Sequence, residues 1–216
     1  MKYRAILLFG APGAGKGTQG KILGEIPNFV HFSSGDAFRG LRVDSTLGRV
    51  FVEYASKGLL VPDEPTIELW EQSVHGLIAN GRFNPEADTL LLDGIPRNAN
   101  QARIMHGLIE VKAIFNLFCP VLDKLVVRLQ RRALKENRLD DANVEVIRQR
   151  LETYKRETRA VLDCFPEELI HQVDSTQEPL YVLLDILKVI ARIPKPAISD
   201  GATTYTEALS LARNDT

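Results

Sequence analysis

The sequence predicts an α/β fold, a parallel β-sheet with helices on both faces. Three observations carry that prediction. Short apolar runs, each long enough for one buried strand, alternate with amphipathic helical patterns. The first run, Ala5–Phe9, leads into a glycine loop, Gly10-Ala11-Pro12-Gly13-Ala14-Gly15-Lys16-Gly17-Thr18, that opens a helix. A later run, Thr89–Asp93, closes on a carboxylate and turns at Gly94-Ile95-Pro96-Arg97, as a buried parallel strand does when it feeds a loop at its C-terminal end.

Taken in order, Thr18–Ile26 reads as a helix ending near Pro27, and Phe29–Phe32 as a short strand leading into Ser33-Ser34-Gly35-Asp36. From Asp36 to Lys57 the pattern is mostly helical. Ala37, Phe38, Leu41, Leu47, Val50, Phe51 and Tyr54 recur at three- and four-residue steps, enough for a small insertion with one apolar face. Gly58 stops it, Val61–Pro65 reads as a turn, and Thr66–Ile78 is amphipathic through Ile67, Trp70, Val74 and Leu77. Asn98–Ile109 reads as a helix and Ala113–Phe118 as a strand. Two charged helices follow, Asp123–Lys135 and Asn143–Leu162, separated by the polar stretch Glu136–Ala142. Leu169–Val173 is a last strand and Pro179–Ile193 a last helix. Beyond Pro194 the composition shifts to Pro, Ser, Thr, Asp and Gly, with a short helix expected over Tyr205–Arg213.

A chain of 216 residues suits one main domain with small insertions. A formal net charge of -1 argues against a nucleic-acid binder held by a generally basic surface, so any anion site must draw on local positive charge. Cys119 and Cys164 are too far apart in sequence for a metal knuckle and are expected to be core thiols. No apolar run approaches the roughly 18 residues that span a bilayer, and the N-terminus lacks a signal-peptide pattern. A cytoplasmic protein with no membrane partner is the expectation.

Gly10 and Gly15, followed by Lys16, match the phosphate-loop pattern. Side-chain-free backbone turns successive N–H groups toward a polyphosphate, the lysine reaches its distal end, and the helix adds its positive N-terminus. Where the strict pattern has a hydroxyl after the lysine, this chain has Gly17, and the hydroxyl comes at Thr18. Asp93, at a strand end facing the loop, is expected to act near magnesium through its waters. Arginines cluster beside the turns: Arg39, Arg97, Arg128 and Arg132 at i, i+4, Arg138, and Arg150 at the border of the stripe Val144, Ile147, Leu151, Tyr154, Thr158, Val161. Planar forks of this kind suit phosphoryl transfer between two anions. Arg103, Arg131, Arg148, Arg156 and Arg159 read as solvated, Asp36, Asp140 and Asp141 as turn or cap residues, and His31, His75, His106 and His171 show no ligand spacing.

Together these residues resemble the nucleoside monophosphate kinases, and within them the adenylate kinases with a short lid. The match runs from Arg4 to about Ile193, through Gly10–Thr18, Ser34-Gly35-Asp36 with Arg39, Val61-Pro62-Asp63-Glu64, Leu92–Arg97 with Gln101, Arg128 with Arg132, Arg138-Leu139-Asp140-Asp141, and Arg150-Leu151 with Tyr154. The resemblance implies a P-loop NTPase-like core (1–33, 62–131 and 142–193), a monophosphate-binding insertion (34–61), a lid (132–141) and a tail (194–216) without a counterpart. It also implies a monomer whose partners are ATP and AMP.

By position, the resemblance places ATP on Gly13, Ala14, Gly15, Lys16, Gly17, Thr18, Arg128 and Arg132. It places AMP on Ser34, Gly35, Arg39, Leu59, Leu60, Val61, Gly94, Arg97, Gln101, Arg138 and Arg150. Lys16, Asp93, Arg97, Arg132, Arg138 and Arg150 would be the catalytic set. Mg²⁺ would be held through waters near Asp93 and Thr18, and the four-cysteine zinc insert of long lids is missing. A carboxamide at Gln101 can donate to adenine N1 and accept from its amine, which favours AMP. Two alternatives remain: a UMP/CMP kinase on the same scaffold, and a non-catalytic adenine-nucleotide sensor.

Overall fold

The computed structural model describes residues 2–136, 138, 141 and 143–194, apart from the side chain of Arg159. Five strands form one sheet in the order β2-β3-β1-β4-β5, and every neighbouring pair is parallel. These are β1 (Tyr3–Gly10), β2 (Phe29–Ser33), β3 (Thr89–Asp93), β4 (Ile109–Phe118) and β5 (Ile170–Asp174). The central β1 runs from Ala5 opposite Leu90 to Leu8 opposite Asp93 on one side, and from Tyr3 opposite Ile109 to Gly10 opposite Leu117 on the other.

Helices α1 (Lys16–Leu23), α2 (Ser34–Arg39), α3 (Thr46–Ala55), α4 (Asp63–Ala79), α5 (Ala99–Met105), α6 (Leu122–Glu136), α7 (Val144–Leu162) and α8 (Pro179–Ile190) complete the fold. The period-two pattern of β1 divides the core. Ala5, Leu7 and Phe9 pack with Leu90, Leu92, Trp70, Val74, Phe83 and Met105 on one face. Ile6 and Leu8 pack with Leu91, Leu23, Leu125, Leu129, Val182 and Ile186 on the other. Helix α7 belongs to both layers, with Ile147 and Leu151 in the second and Val161 in the first. Each fully buried Leu or Ile contributes about 1.5–3 kcal/mol relative to exposure.

Several boundaries differ from the sequence reading. Helix α1 begins at Lys16 rather than Thr18, so the loop's lysine lies in its first turn. Asp36–Lys57 divides in two: Gly40 ends α2, and the Ser45 hydroxyl caps α3 by accepting from the Gly48 N–H at 3.1 Å. The insertion holds itself by stacking Phe38 on Phe51, ring centres 5.3 Å apart. Helix α4 starts at Asp63, ahead of Pro65, because a proline in the first turn removes an N–H that has no helical partner there. Helix α5 stops at Met105, since Leu108 and Ile109 are drawn into pairing with β1 through the Tyr3 N–H on the Leu108 carbonyl, 2.9 Å. Cys119 is only partly buried and Cys164 is exposed, so neither is a core thiol; each lies just past the end of a strand or helix. The expected helix over Tyr205–Arg213 lies outside the described residues.

The topology fixes where a ligand can enter. Neighbours β1 and β3 send their connections in opposite directions, β1 out to β2 and β3 across to β4. Their C-terminal ends therefore part to form a crevice.

Candidate active site

A cleft of about 890 Å³ opens at that crevice, between the phosphate loop, the insertion, the C-terminal half of α6 and the middle of α7. Gly10, at the end of β1, has φ +145°, and a Cβ there would meet the Leu117 carbonyl at 2.6 Å, so only glycine lets the loop leave the sheet at this point. Gly15 has φ +102° and immediately precedes α1. The Lys16 Nζ donates to the carbonyls of Gly10 at 2.7 Å and Ala11 at 3.3 Å, folding the ammonium back over the loop. Desolvation lowers its pKa to about 8. Asp93 partly offsets this, and Arg97, Arg132 and Arg150 add to the lowering.

Seven arginines line the cleft: Arg39, Arg97, Arg128, Arg131, Arg132, Arg138 and Arg150. With Lys16, Lys21 and Lys135 they outnumber the carboxylates that line it among the described residues, Asp36, Asp93, Glu136 and Glu157. On a chain of net charge -1, positive charge is concentrated at one place. Arg131, read from sequence as a solvated residue, borders this cleft, and Lys21, Lys135, Tyr154 and Gln177 also line it without having been expected. The i, i+4 relation of Arg131 to Lys135 on α6 was the available signal.

The arginines are held in place by carboxylates and carbonyls. The Asp141 side chain is fully buried; its Oδ2 accepts from Arg132 Nε at 2.8 Å and Nη2 at 2.6 Å, and its Oδ1 pairs with Arg150 Nη1. Asp36 Oδ1 accepts from Arg39 Nη2 at 2.5 Å and from Arg138 Nη2 at 3.3 Å, while Arg138 Nε donates to Glu136 at 2.6 Å. Asp36 and Asp141 are thus anchors for arginines rather than only turn or cap residues. Arg97 Nε donates to the Gly94 carbonyl at 2.7 Å, and Ser34 Oγ donates to the same oxygen at 2.6 Å. Arg128 Nη1 donates to the Ser175 carbonyl at 3.0 Å.

Asp93 is nearly buried, and its carboxylate makes no hydrogen bond to protein among the described residues. A Cβ at Gly17 would lie 3.5 Å from its Oδ2, so glycine keeps that side of the carboxylate clear of protein atoms. A carboxylate that opens on the cleft beside a phosphate loop, with no protein donor on it among the described residues, fits a cation held through water.

The structure brings Gly13, Ala14, Gly15, Lys16, Gly17, Thr18, Gly35, Arg39, Leu59, Leu60, Asp93, Gly94, Arg97, Arg128, Arg132, Arg138 and Arg150 around the one cleft. Ser34 and Val61 line a small recess that it shares with Arg39, Leu59, Arg97 and Arg150. Gln101 lines neither. It is fully buried, its Oε1 accepting the Arg97 N–H at 2.8 Å and its Nε2 donating to Asp63 at 2.9 Å. Leu139 and Asp140 lie outside the described residues. The insertion rests on α7 where Gly58, at φ +69°, sits so close that a Cβ would meet the Val146 carbonyl at 2.9 Å; Thr153 Oγ1 lies 3.4 Å from the Gly58 carbonyl.

A family profile described as adenylate kinase matches residues 8–170. Among curated relatives, the adenylate kinase of Porphyromonas gingivalis strain W83 is 32% identical over 197 residues, which cover 88% of this chain and 97% of the relative. That of Cyanothece sp. strain PCC 7425 is 34% identical over 195 residues, 87% of this chain and 95% of the relative. That of Flavobacterium psychrophilum is 36% identical over 166 residues, 74% and 83% respectively.

Proposed function

The chain belongs to the adenylate kinase family and is a phosphotransferase; we propose that it moves the γ-phosphoryl group of ATP onto AMP in one reversible step, giving two ADP. The observation that carries this reading is the excess of arginine around one cleft, more cation than a single triphosphate on a phosphate loop requires. Two anions approaching each other need charge neutralised on the donor, the acceptor and the group in flight.

In this reading the loop Gly13–Thr18 holds the ATP phosphates, with Arg128 on the donor side. Lys16 and Arg132 hold the transferring group, Arg138 and Arg150 bridge donor and acceptor, and Arg39 and Arg97 grip the AMP phosphate. Ser34, Gly35, Leu59, Leu60, Val61 and Gly94 enclose the acceptor, and Gln101 reads its base. Arginine forks give two parallel bonds to a phosphate, which position as well as neutralise. No covalent intermediate is required, because positioning and fixed charge lower the barrier. Movement of the insertion 34–61 and the lid 132–141 over both nucleotides excludes water, which would otherwise hydrolyse ATP.

Adenylate kinases work on magnesium-bound ATP. Here Asp93, with Thr18 nearby, would hold Mg²⁺ through water, and the bound ion neutralises charge on the ATP phosphates. In the same reading the enzyme is a monomer in the cytoplasm, as its likeness to the adenylate kinases implies. No helix among the described residues is long and apolar enough to cross a membrane.

The test is a coupled assay with MgATP against AMP, GMP, UMP and CMP. Turnover with AMP above the others is the expected result. Preference for UMP or CMP would make it a pyrimidine kinase, and nucleotide binding without turnover would make it a sensor.

A further inference from the structure

Asp63 has no part in the roles just assigned, yet it gathers three side-chain amides. It opens α4, and its Oδ1 accepts from Asn98 Nδ2 at 2.7 Å and from Gln101 Nε2 at 2.9 Å, while its Oδ2 accepts from Asn100 Nδ2 at 2.7 Å. Burial alone would raise the Asp63 pKa, but the three amide donors outweigh it and hold the carboxyl below its usual range, so it stands as an anion. At its other end the Gln101 carboxamide accepts the Arg97 backbone N–H at 2.8 Å. A primary amide has two N–H protons and two lone pairs on oxygen. One of each is engaged by the protein here, and one of each remains.

We propose that Asp63 is a positioning residue that fixes which way round the Gln101 carboxamide is held, and that it thereby makes the acceptor site prefer a 6-amino purine to a 6-oxo purine. The proposal rests on the placement of the acceptor base at Gln101. Reversing the carboxamide would turn Oε1 onto the Asp63 carboxylate and Nε2 onto the Arg97 N–H, acceptor against acceptor and donor against donor. The fully buried Gln101 carboxamide would lose both bonds, and unpaired polar atoms are costly there. Asn98 cannot turn to compensate, because its Oδ1 already caps α5 by accepting the Gln101 N–H at 2.8 Å.

Adenine presents an acceptor, N1, beside a donor amine, which the held carboxamide meets with its remaining N–H and lone pair. Hypoxanthine presents the reverse, a donor N1–H beside an acceptor O6, and would need the carboxamide turned over. Because Gln101 does not line the cleft in this conformation, a base meets it only after local opening. With both of its ends tied, the orientation is set before the base arrives.

The experiment compares kcat/KM for AMP with that for inosine monophosphate, which differs from AMP only at this edge of the base, in wild type, Asp63→Ala, Asp63→Asn and Gln101→Ala. Asp63→Ala, which removes the acceptor, should lower the AMP-to-inosine-monophosphate ratio about tenfold, the range of one two-bond base contact. It should raise KM for AMP and leave KM for ATP as it was. Asp63→Asn keeps an oxygen toward Gln101 and should keep the ratio. An unchanged ratio in Asp63→Ala overturns the proposal, and so does an equal loss in Asp63→Asn, which would place the effect in the charge at the start of α4. If Asp63→Ala does not fold, Asp63→Ser, too short to reach Gln101 but still polar in the first turn of α4, takes its place. A ratio that survives Gln101→Ala removes the base from Gln101 and takes the assigned site with it. A ratio lost in Gln101→Ala but kept in Asp63→Ala overturns the role of Asp63 alone.

Discussion

Asp141 and Asp36 each hold two arginines of the cleft, but in opposite surroundings. The Asp141 side chain is 0% exposed, whereas that of Asp36 is 40% exposed. A buried carboxylate between guanidiniums is a permanent fixture, because opening it strands charge away from water. A half-open one is screened and gives way readily to a stronger anion. Arg132 and Arg150 are therefore fixed by a buried carboxylate, while Arg39 and Arg138 share a half-open one, Arg138 with a second bond to Glu136. In the proposed reading a substrate phosphate would compete with Asp36 for them. One cleft combines a fixed half and an exchangeable half.

The sharpest way to break this contrast is Asp141→Ala. It should cost about 3 kcal/mol of stability in urea unfolding, the low end for breaking a buried pair because both guanidiniums keep some solvent contact. A loss under 1 kcal/mol would put Asp141 in the same class as Asp36. Arg97→Ala, which removes a guanidinium bonded to the Gly94 carbonyl, should cost roughly 3 kcal/mol in kcat/KM with little change in stability. Near-normal turnover would take Arg97 off the acceptor phosphate.

Lys16 tests the fixed half by pH. Its folded pKa of about 8 lies below the ordinary lysine value of 10.5, so the charged lysine burdens the folded state at lower pH, and that burden is relieved as pH rises from about 8 toward 10.5. A bound polyphosphate should raise the pKa again. Nucleotide binding at pH 8 should then take up protons, measurable by calorimetry in buffers of different ionisation enthalpy. No uptake would mean the ammonium is already fully charged. The smallest effect is expected at Asp36→Asn, up to about 1 kcal/mol of stability and weaker in high salt. Burial works to raise the Asp36 pKa, but the bond and charge of Arg39, with Arg138 and Lys21, hold it below 3.8. Its contribution is complete above pH 3.8 and disappears as pH falls through that lower folded value.

What could be read in the sequence was what short stretches decide for themselves. The phosphate loop, strand β3 with Asp93 at its end, and the border position of Arg150 each depend on neighbours within one or two turns. The β4 boundary was misplaced because Leu108 and Ile109 answer to Tyr3, over a hundred residues earlier, and no local pattern reports that pairing. The same holds for function. Asp36 has a partner at Arg138, 102 positions away, and Asp63 has one at Gln101, 38 away. Gln101 was legible as a carboxamide with the right chemistry for adenine. That both its ends are bonded within the protein could come only from the folded arrangement.

Helix α7 has a bearing on how the molecule comes apart. Its Ile147 and Leu151 sit in the apolar layer on one side of the sheet and its Val161 in the layer on the other. A single helix keyed into both layers ties their melting together, since neither can lose its packing without loosening the support of the other. Denaturation of the core is then one cooperative event, and the helix carrying Arg150 is among the last pieces to let its amide protons exchange.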